Sequence, residues 1–178
     1  MLVIFEGPDG AGKTTTAAMV AEALGLKVSH PGRPPESFDE IKQLVAEQFK
    51  LAQSEQLHIL DRSTIISEIV YRQFRLGEYG EDVLEFLTKA LASLKDTTTL
   101  VIYMKTDKAL MLRDGQIFSE YDTEDTKRVV NEQSQTILDL YDTTMQSLAK
   151  WMTPVIQFDY SRDQVDNLTE IISTVFKV

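Results

Sequence analysis

One stretch of the sequence decides the fold, and it reads Gly7-Pro8-Asp9-Gly10-Ala11-Gly12-Lys13-Thr14. It matches the phosphate-binding loop pattern G-x-x-x-x-G-K-[ST]. The apolar run Leu2–Phe5 precedes it, which is typical of a buried strand. The segment Thr14–Leu24 follows with helical character and is closed by Gly25. A strand, a glycine loop and a helix are the structural context that this motif requires.

The chemistry of this loop predicts a nucleotide-binding site. Its glycines let the backbone turn N–H groups around an anion, and the following helix adds about half a positive charge at its N-terminus. Lys13 is placed to reach the β- and γ-phosphates, and the hydroxyl of Thr14 to ligate Mg²⁺. We therefore expect ATP and Mg²⁺ as cofactors. The expected ATP-binding residues in and beside the loop are Gly7, Asp9, Gly10, Ala11, Gly12, Lys13, Thr14 and Thr15.

The rest of the chain alternates between apolar runs and segments with helical spacing. The predicted strands are Leu2–Phe5, Lys27–His30, Leu57–Leu60, Leu100–Met104 and Val155–Phe158. The predicted helices after the first are Ser37–Gln53, Ile65–Leu76, Glu81–Leu94, Lys108–Leu112, Glu124–Lys150 and Val165–Phe176. Such alternation predicts an α/β fold with a parallel sheet covered on both faces. No repeat or linker divides the chain, so residues 1–178 are expected to form a single domain.

Composition excludes several classes of function. The chain has 178 residues, no cysteine and a net charge of −10. The absence of cysteine excludes disulfides and thiolate metal sites, and the acidic charge argues against a nucleic-acid-binding surface. No apolar run approaches the roughly 18 residues that span a bilayer. We expect a soluble cytoplasmic protein that binds a small-molecule nucleotide and neither nucleic acid nor a membrane.

The carboxyl ends of the strands select further candidates, because ligands bind there in parallel sheets. The second predicted strand leads to Arg33 and the third to Asp61-Arg62-Ser63. Asp61 could hold Mg²⁺, directly or through water, or accept a proton from an attacking hydroxyl. Arg62 is suited to hold a phosphate bidentately. The alternative is a structural ion pair between Asp61 and Arg62 that ties down the loop.

At this point the chain resembles the thymidylate kinase group of P-loop nucleoside and nucleotide kinases. Three features carry the resemblance: the opening Phe5–Thr15, the pair Asp61-Arg62 followed by Ser67 and Tyr71, and the strand Val101–Met104 followed by a helix that ends at Arg113. The resemblance implies a three-layer α/β sandwich with a five-stranded parallel sheet. It also implies a short LID at about residues 113–123, and dimers formed through helices.

The resemblance also implies a role for each matching residue. Asp9 would contact the 3′-hydroxyl of the acceptor sugar, and Arg62 would hold the acceptor phosphate near the γ-phosphate of ATP. Ser67 and Tyr71 would lie near the acceptor base or sugar. Arg113 would stack on adenine or reach the transferred phosphoryl group. Lys13, Asp61, Arg62 and Arg113 are thus the candidate catalytic residues, with Thr14 and Asp61 as candidate metal ligands.

Two readings of the acceptor remain open. Arg62 and Arg33 supply cations on the acceptor side, which favours a nucleoside monophosphate, whereas Ser63 after the arginine is more typical of deoxynucleoside kinases. Arg72 stands where thymidylate kinases usually have a base-reading glutamine, and an arginine there could read a purine carbonyl. Glu68, four residues before Arg72, is interpreted as its partner in an ion pair on the helix surface. A GTPase switch is disfavoured because the Asn-Lys-x-Asp guanine motif is missing.

Overall fold

The computed structural model describes residues 1–74, 81–106 and 124–178, and within these ranges five strands form one parallel sheet. The strands are β1 (Leu2–Glu6), β2 (Val28–Ser29), β3 (His58–Asp61), β4 (Thr99–Met104) and β5 (Val155–Phe158). Their order across the sheet is β2-β3-β1-β4-β5, and each neighbouring pair is parallel. The predicted α/β fold with a five-stranded parallel sheet is confirmed.

The helices of the described ranges follow the sequence prediction closely. They are α1 (Lys13–Leu24), α2 (Phe38–Gln53), α3 (Thr64–Tyr71), α4 (Glu81–Ser93), α5 (Glu124–Trp151) and α6 (Val165–Phe176). The main difference is α3, which was expected to reach Leu76 but tightens into a 3₁₀ turn at Arg72–Phe74. The predicted helix at residues 108–112 and the predicted LID at 113–123, with Arg113, lie outside the described residues.

Strand β1 lies at the centre of the sheet, and its side chains divide the core into two halves. Leu2 and Ile4 pack in the cluster that includes residues of α2, α3, α4 and α5. Val3 and Phe5 face the opposite side, against residues of α1 and α6. A strand covered on both faces has no solvent side, which explains why this run is apolar throughout rather than alternating. The result is the three-layer sandwich.

The register of β1 with its neighbours places the candidate residues at one edge of the sheet. Phe5 lies opposite Asp61 on β3 and Glu6 opposite Tyr103 on β4. The loop that follows β1 therefore emerges beside the end of β3, where Arg62 begins the next connection. None of the described helices combines the length and the hydropathy needed to cross a membrane.

Gly7, the first residue of the loop, is required by a close approach to the neighbouring strand. Its φ is +150°, and a Cβ atom at this position would lie 2.4 Å from the carbonyl oxygen of Met104. No side chain fits at that distance without a backbone shift. The loop is thus anchored against the end of β4 at the point where it leaves the sheet.

Candidate active site

The phosphate loop combines left-handed glycines with an uncapped helix N-terminus. Gly10 and Gly12 adopt left-handed φ angles of +77° and +78°. Gly12 precedes the first residue of α1, and no side chain caps the N–H groups of that helix. Uncapped N–H groups at a helix N-terminus form an anion-binding site. The local structure therefore fits the nucleotide-binding role that the motif predicts.

Lys13 is buried within its own loop. Its Nζ donates to the carbonyl oxygens of Gly7 at 2.8 Å and Pro8 at 2.7 Å, and the residue is 5% exposed. Burial, assisted by the nearby charge of Arg62, lowers the pKa of Lys13 to about 8. The ammonium is consequently poorly solvated before any phosphate arrives, so an anion bound in the loop gains a strong electrostatic interaction.

Thr14 and Asp61 meet across the sheet edge and fit a magnesium site. The Thr14 hydroxyl donates to Oδ2 of Asp61 at 2.6 Å. Asp61 is 1% exposed, and its Oδ1 has no hydrogen-bond partner among the residues that the structure describes. Mg²⁺ in nucleotide sites is held by one or two protein oxygens, with phosphates and water completing its shell. A hydroxyl and a buried carboxylate oxygen side by side match that need.

Arg62 forms its ion pair with Asp9 and not with its neighbour Asp61. Its guanidinium Nη2 donates to Oδ1 of Asp9, while the Tyr71 hydroxyl donates to Oδ2 of the same carboxylate at 3.0 Å. Burial opposes the charge of Asp9, but Arg62 and Lys13 together hold the pKa of this carboxyl below its ordinary value. The expected alternative, a structural pair of Asp61 with Arg62, does not form.

Glu6 organises this edge of the sheet, although sequence analysis assigned it no role. Its side chain is fully buried and accepts hydrogen bonds from the backbone N–H groups of Gly7 at 3.0 Å and Ser63 at 2.7 Å. It also accepts from the hydroxyls of Ser67 at 3.2 Å and Tyr141 at 3.0 Å. The available signal was a charged residue ending an apolar strand directly before the loop.

A cleft of about 540 Å³ opens beside the loop, a volume that suits a nucleotide-sized ligand. Thr14 of the phosphate loop and Arg62 both line this cleft. One wall is the face of α3 that carries Thr64, Ser67, Glu68 and Tyr71; the other is formed by residues 30–35 and Leu44. The structure thus places Ser67 and Tyr71 in the cleft, where the sequence predicts the acceptor.

Two polar residues of the β3–α3 segment are buried. Ser63, which the sequence places directly after Arg62, is fully buried, caps α3 by accepting from the N–H of Ile66, and donates to Gln48. Glu68 was expected in a surface ion pair and is instead 2% exposed and lines the cleft. The expected surface location is wrong, because helical spacing alone does not reveal which face of α3 the cleft adjoins.

The two other residues predicted to bind the acceptor, Arg33 and Arg72, differ in their position relative to the cleft. Arg33 lines the cleft, but its guanidinium is half exposed and pairs with Glu36 at 2.9 Å and Glu40 at 3.0 Å. Arg72 is partly buried in the 3₁₀ turn and is not among the described side chains that line the cleft. His30, interpreted from sequence as an ordinary strand residue, lies just beyond β2 and lines the cleft.

Comparison with known proteins agrees with this architecture. No protein-family model and no curated protein sequence matches the chain. Among solved structures, the YorR protein of Bacillus subtilis, in complex with phosphorylated GDP, superposes with a TM-score of 0.64 and 21% identity over 99% of this chain and 96% of that one. Deoxyadenosine kinase of M. mycoides with bound dATP superposes with a TM-score of 0.60 and 17% identity over 100% of both chains. Thymidylate kinase of Candida albicans superposes with a TM-score of 0.60 and 14% identity over 99% of this chain and 90% of that one.

These neighbours establish the class of fold. Sequence identities of this order show the fold alone, and every one of the three structures covers nearly the whole chain. The protein therefore has the P-loop kinase fold, as the resemblance to the thymidylate kinase group implied.

Proposed function

We propose that the protein is an ATP-dependent (deoxy)nucleoside monophosphate kinase, which transfers the γ-phosphate of ATP to the phosphate of an acceptor nucleotide. The observation that carries this proposal is Arg62, whose partly exposed guanidinium lines the same cleft as Thr14 of the phosphate loop. A fixed cation between the two phosphate sites is what a reaction between two anions requires.

On the donor side, the loop N–H groups and Lys13 hold the β- and γ-phosphates of ATP. Thr14 and Asp61 would hold Mg²⁺, which neutralises phosphate charge when it is bound. Because phosphoryl transfer is catalysed mainly by positioning and charge neutralisation, these groups suffice without a strong base. Arg113 remains a proposed contact of the adenine or the transferred phosphoryl group.

On the acceptor side, Arg62 binds the phosphate of the acceptor, and Asp9 accepts a hydrogen bond from the sugar 3′-hydroxyl. Asp9 is held in place by Arg62 and Tyr71, so its carboxylate is preorganised before the acceptor binds. Ser67 and Tyr71 line the cleft, where they would contact the sugar and base of the acceptor. Assembly as a homodimer also remains part of the proposal.

A deoxynucleoside kinase is the second candidate, and Glu68 is the observation that favours it. A hydroxyl acceptor benefits from a carboxylate that takes its proton, and Glu68 is a buried acidic residue that lines the cleft. The deoxyadenosine kinase fold has the same architecture.

A substrate panel separates the two candidates. Purified protein with MgATP would be given dTMP, dGMP, dAMP and dCMP in parallel with thymidine and deoxyguanosine, and ADP formation would be measured. The proposal expects turnover of at least one monophosphate far above that of any nucleoside. Turnover of a nucleoside with none of the monophosphates would establish the second candidate instead.

A further inference from the structure

Glu6 is a fully buried carboxylate that lines no part of the described cleft, yet it joins four separate segments. Its partners are the first loop residue, the β3–α3 connection, helix α3 and helix α5, through Gly7, Ser63, Ser67 and Tyr141. Burying a charged group is costly unless its hydrogen bonds are satisfied. A carboxylate kept in such a position therefore acts on the groups that it holds rather than on a ligand.

The segment that Glu6 holds most directly contains an unfavourable backbone conformation. Arg62 has a φ of +74°, in the left-handed region that side-chain-bearing residues rarely adopt. Two consecutive residues of β1 fix the peptide groups on either side of it. The Arg62 N–H donates to the carbonyl oxygen of Phe5 at 3.0 Å, and the Ser63 N–H donates to Oε2 of Glu6 at 2.7 Å. The end of β1 thus holds Arg62 from both sides.

We propose that Glu6 is a positioning residue for Arg62: its hydrogen bond to Ser63 keeps the Arg62 backbone left-handed and so aims the guanidinium at Asp9 and the cleft. The inference rests on the proposed function, in which Arg62 holds the acceptor phosphate. If the Ser63 N–H lost its acceptor, the backbone of Arg62 would relax towards negative φ. The side chain would then leave the direction in which it pairs with Asp9.

The variant Glu6→Asp tests this geometry while keeping the charge. Its carboxylate is withdrawn by about 1.5 Å, the length of one carbon–carbon bond. It can still serve the N–H of Gly7, the next residue in the chain. A withdrawal of this size breaks the 2.7 Å bond from the Ser63 N–H, which belongs to another segment. Loss of a hydrogen bond to a charged group predicts a rise of about tenfold or more in the acceptor KM. The KM for ATP should stay within about twofold of the original, because the loop keeps its partner.

A double-mutant cycle distinguishes positioning from a general structural role. If Glu6 acts through Arg62, Glu6→Asp should have no further effect on acceptor kcat/KM once Arg62→Ala is present. Tyr141→Phe is the matched control, because it removes one hydrogen bond to Glu6 but leaves the bond to Ser63 intact. It should lower the melting temperature with little change in the acceptor KM.

The possible outcomes test the positioning role of Glu6 separately from the proposed function. If Arg62→Ala impairs acceptor use, the proposed function stands. In that case the positioning role is wrong if Glu6→Asp lowers the acceptor kcat/KM by its full factor in the Arg62→Ala background. It is also wrong if Glu6→Asp raises the KM for ATP and the KM for the acceptor equally. If Arg62→Ala leaves acceptor use unchanged, both are wrong. Should Glu6→Asp fail to fold, Glu6→Ala replaces it in the cycle, because alanine removes the acceptor of the Ser63 N–H altogether. Misfolding of both variants, where Tyr141→Phe folds, would make Glu6 a folding residue and overturn the inference.

Discussion

Arg62 on the β3–α3 connection pairs with Asp9 inside the phosphate loop, 53 residues earlier in the chain. In the proposed function, the pair would link the part of the site that binds the donor to the part that binds the acceptor. It also means that Asp9 is already oriented by Arg62 and Tyr71 before a ligand binds.

The affinity for ATP should fall as the pH rises above about 8. Burial lowers the pKa of Lys13 to about 8, so the unliganded protein loses the Lys13 proton near that pH, whereas the phosphate-bound form needs the ammonium. Binding therefore requires proton uptake above this value. Calorimetric titration of ATP between pH 7 and 9.5, in two buffers of different ionisation enthalpy, measures that uptake.

The variant Lys13→Arg is the control, because an arginine keeps its charge across this range. It should bind ATP with little pH dependence, whatever its catalytic rate. Equal pH dependence in both proteins would show that another group titrates. The effect on stability has the opposite sign, since the unfolded state binds the Lys13 proton up to its ordinary pKa of 10.5. The free energy of unfolding should therefore gain a favourable contribution from Lys13 as the pH rises from about 8 towards 10.5.

Gly7→Ala should destabilise the protein and abolish ATP binding. The added Cβ would overlap the carbonyl oxygen of Met104, so the loop must move away from β4. Gly25→Ala is the matched control, because Gly25 also has a positive φ, of +66°, but no atom lies within 4 Å of its Cβ position. That change should cost about 1–2 kcal/mol from the backbone alone and leave ATP affinity intact. Urea unfolding and ATP titration of both variants check the contrast.

Asp9→Asn should reduce the preference for acceptors that carry a 3′-hydroxyl. The carboxylate is held by Arg62 and Tyr71, and an amide would supply only one oxygen for these donors and for the sugar. Measuring kcat/KM for a 2′-deoxynucleotide and its 2′,3′-dideoxy analogue gives the preference directly. Tyr71→Phe, which leaves the carboxylate in place, should retain most of it. An unchanged ratio in Asp9→Asn would contradict the sugar contact.

Thr14→Val should raise the Mg²⁺ concentration needed for half-maximal activity. Valine matches the shape of threonine but removes the hydroxyl that lies 2.6 Å from Asp61 and is expected to ligate the metal. Thr14→Ser keeps that hydroxyl and should behave much like the original protein. Activity is measured over a Mg²⁺ titration at fixed ATP. A shift of the same size in both variants would indicate a packing effect instead.

Local sequence signals were sufficient for the parts of the site that are close to a motif. The phosphate loop and the end of β3 follow from short patterns plus the rule that strand ends meet at one edge. The cleft positions of Ser67 and Tyr71 follow from the resemblance to the thymidylate kinase group. The exact contacts did not follow. Asp61 and Arg62 are adjacent in sequence, but the left-handed backbone of Arg62 lets them reach different partners, Thr14 and Asp9.

Long-range contacts account for most of what sequence reasoning missed. Glu6 and Tyr141 are 135 residues apart, and no pattern in either segment reveals that they share a hydrogen bond. Glu68 has the spacing of a surface ion pair, and only the position of α2 and of the residues after β2 makes it part of a cleft. The boundaries of β2 and α3 shifted for a similar reason, since tertiary contacts decide where a marginal strand or helix ends.

The most direct test of the account is the ratio of kcat/KM for a nucleoside monophosphate to that for its own nucleoside, measured in the original protein and in Arg62→Ala. The account predicts a large ratio in the original protein. It also predicts a fall of about 10²-fold or more in the variant, because Arg62 contacts only the acceptor that carries a phosphate. A ratio below one in the original protein, or a large ratio that survives the removal of Arg62, would rule out recognition of an acceptor phosphate by Arg62.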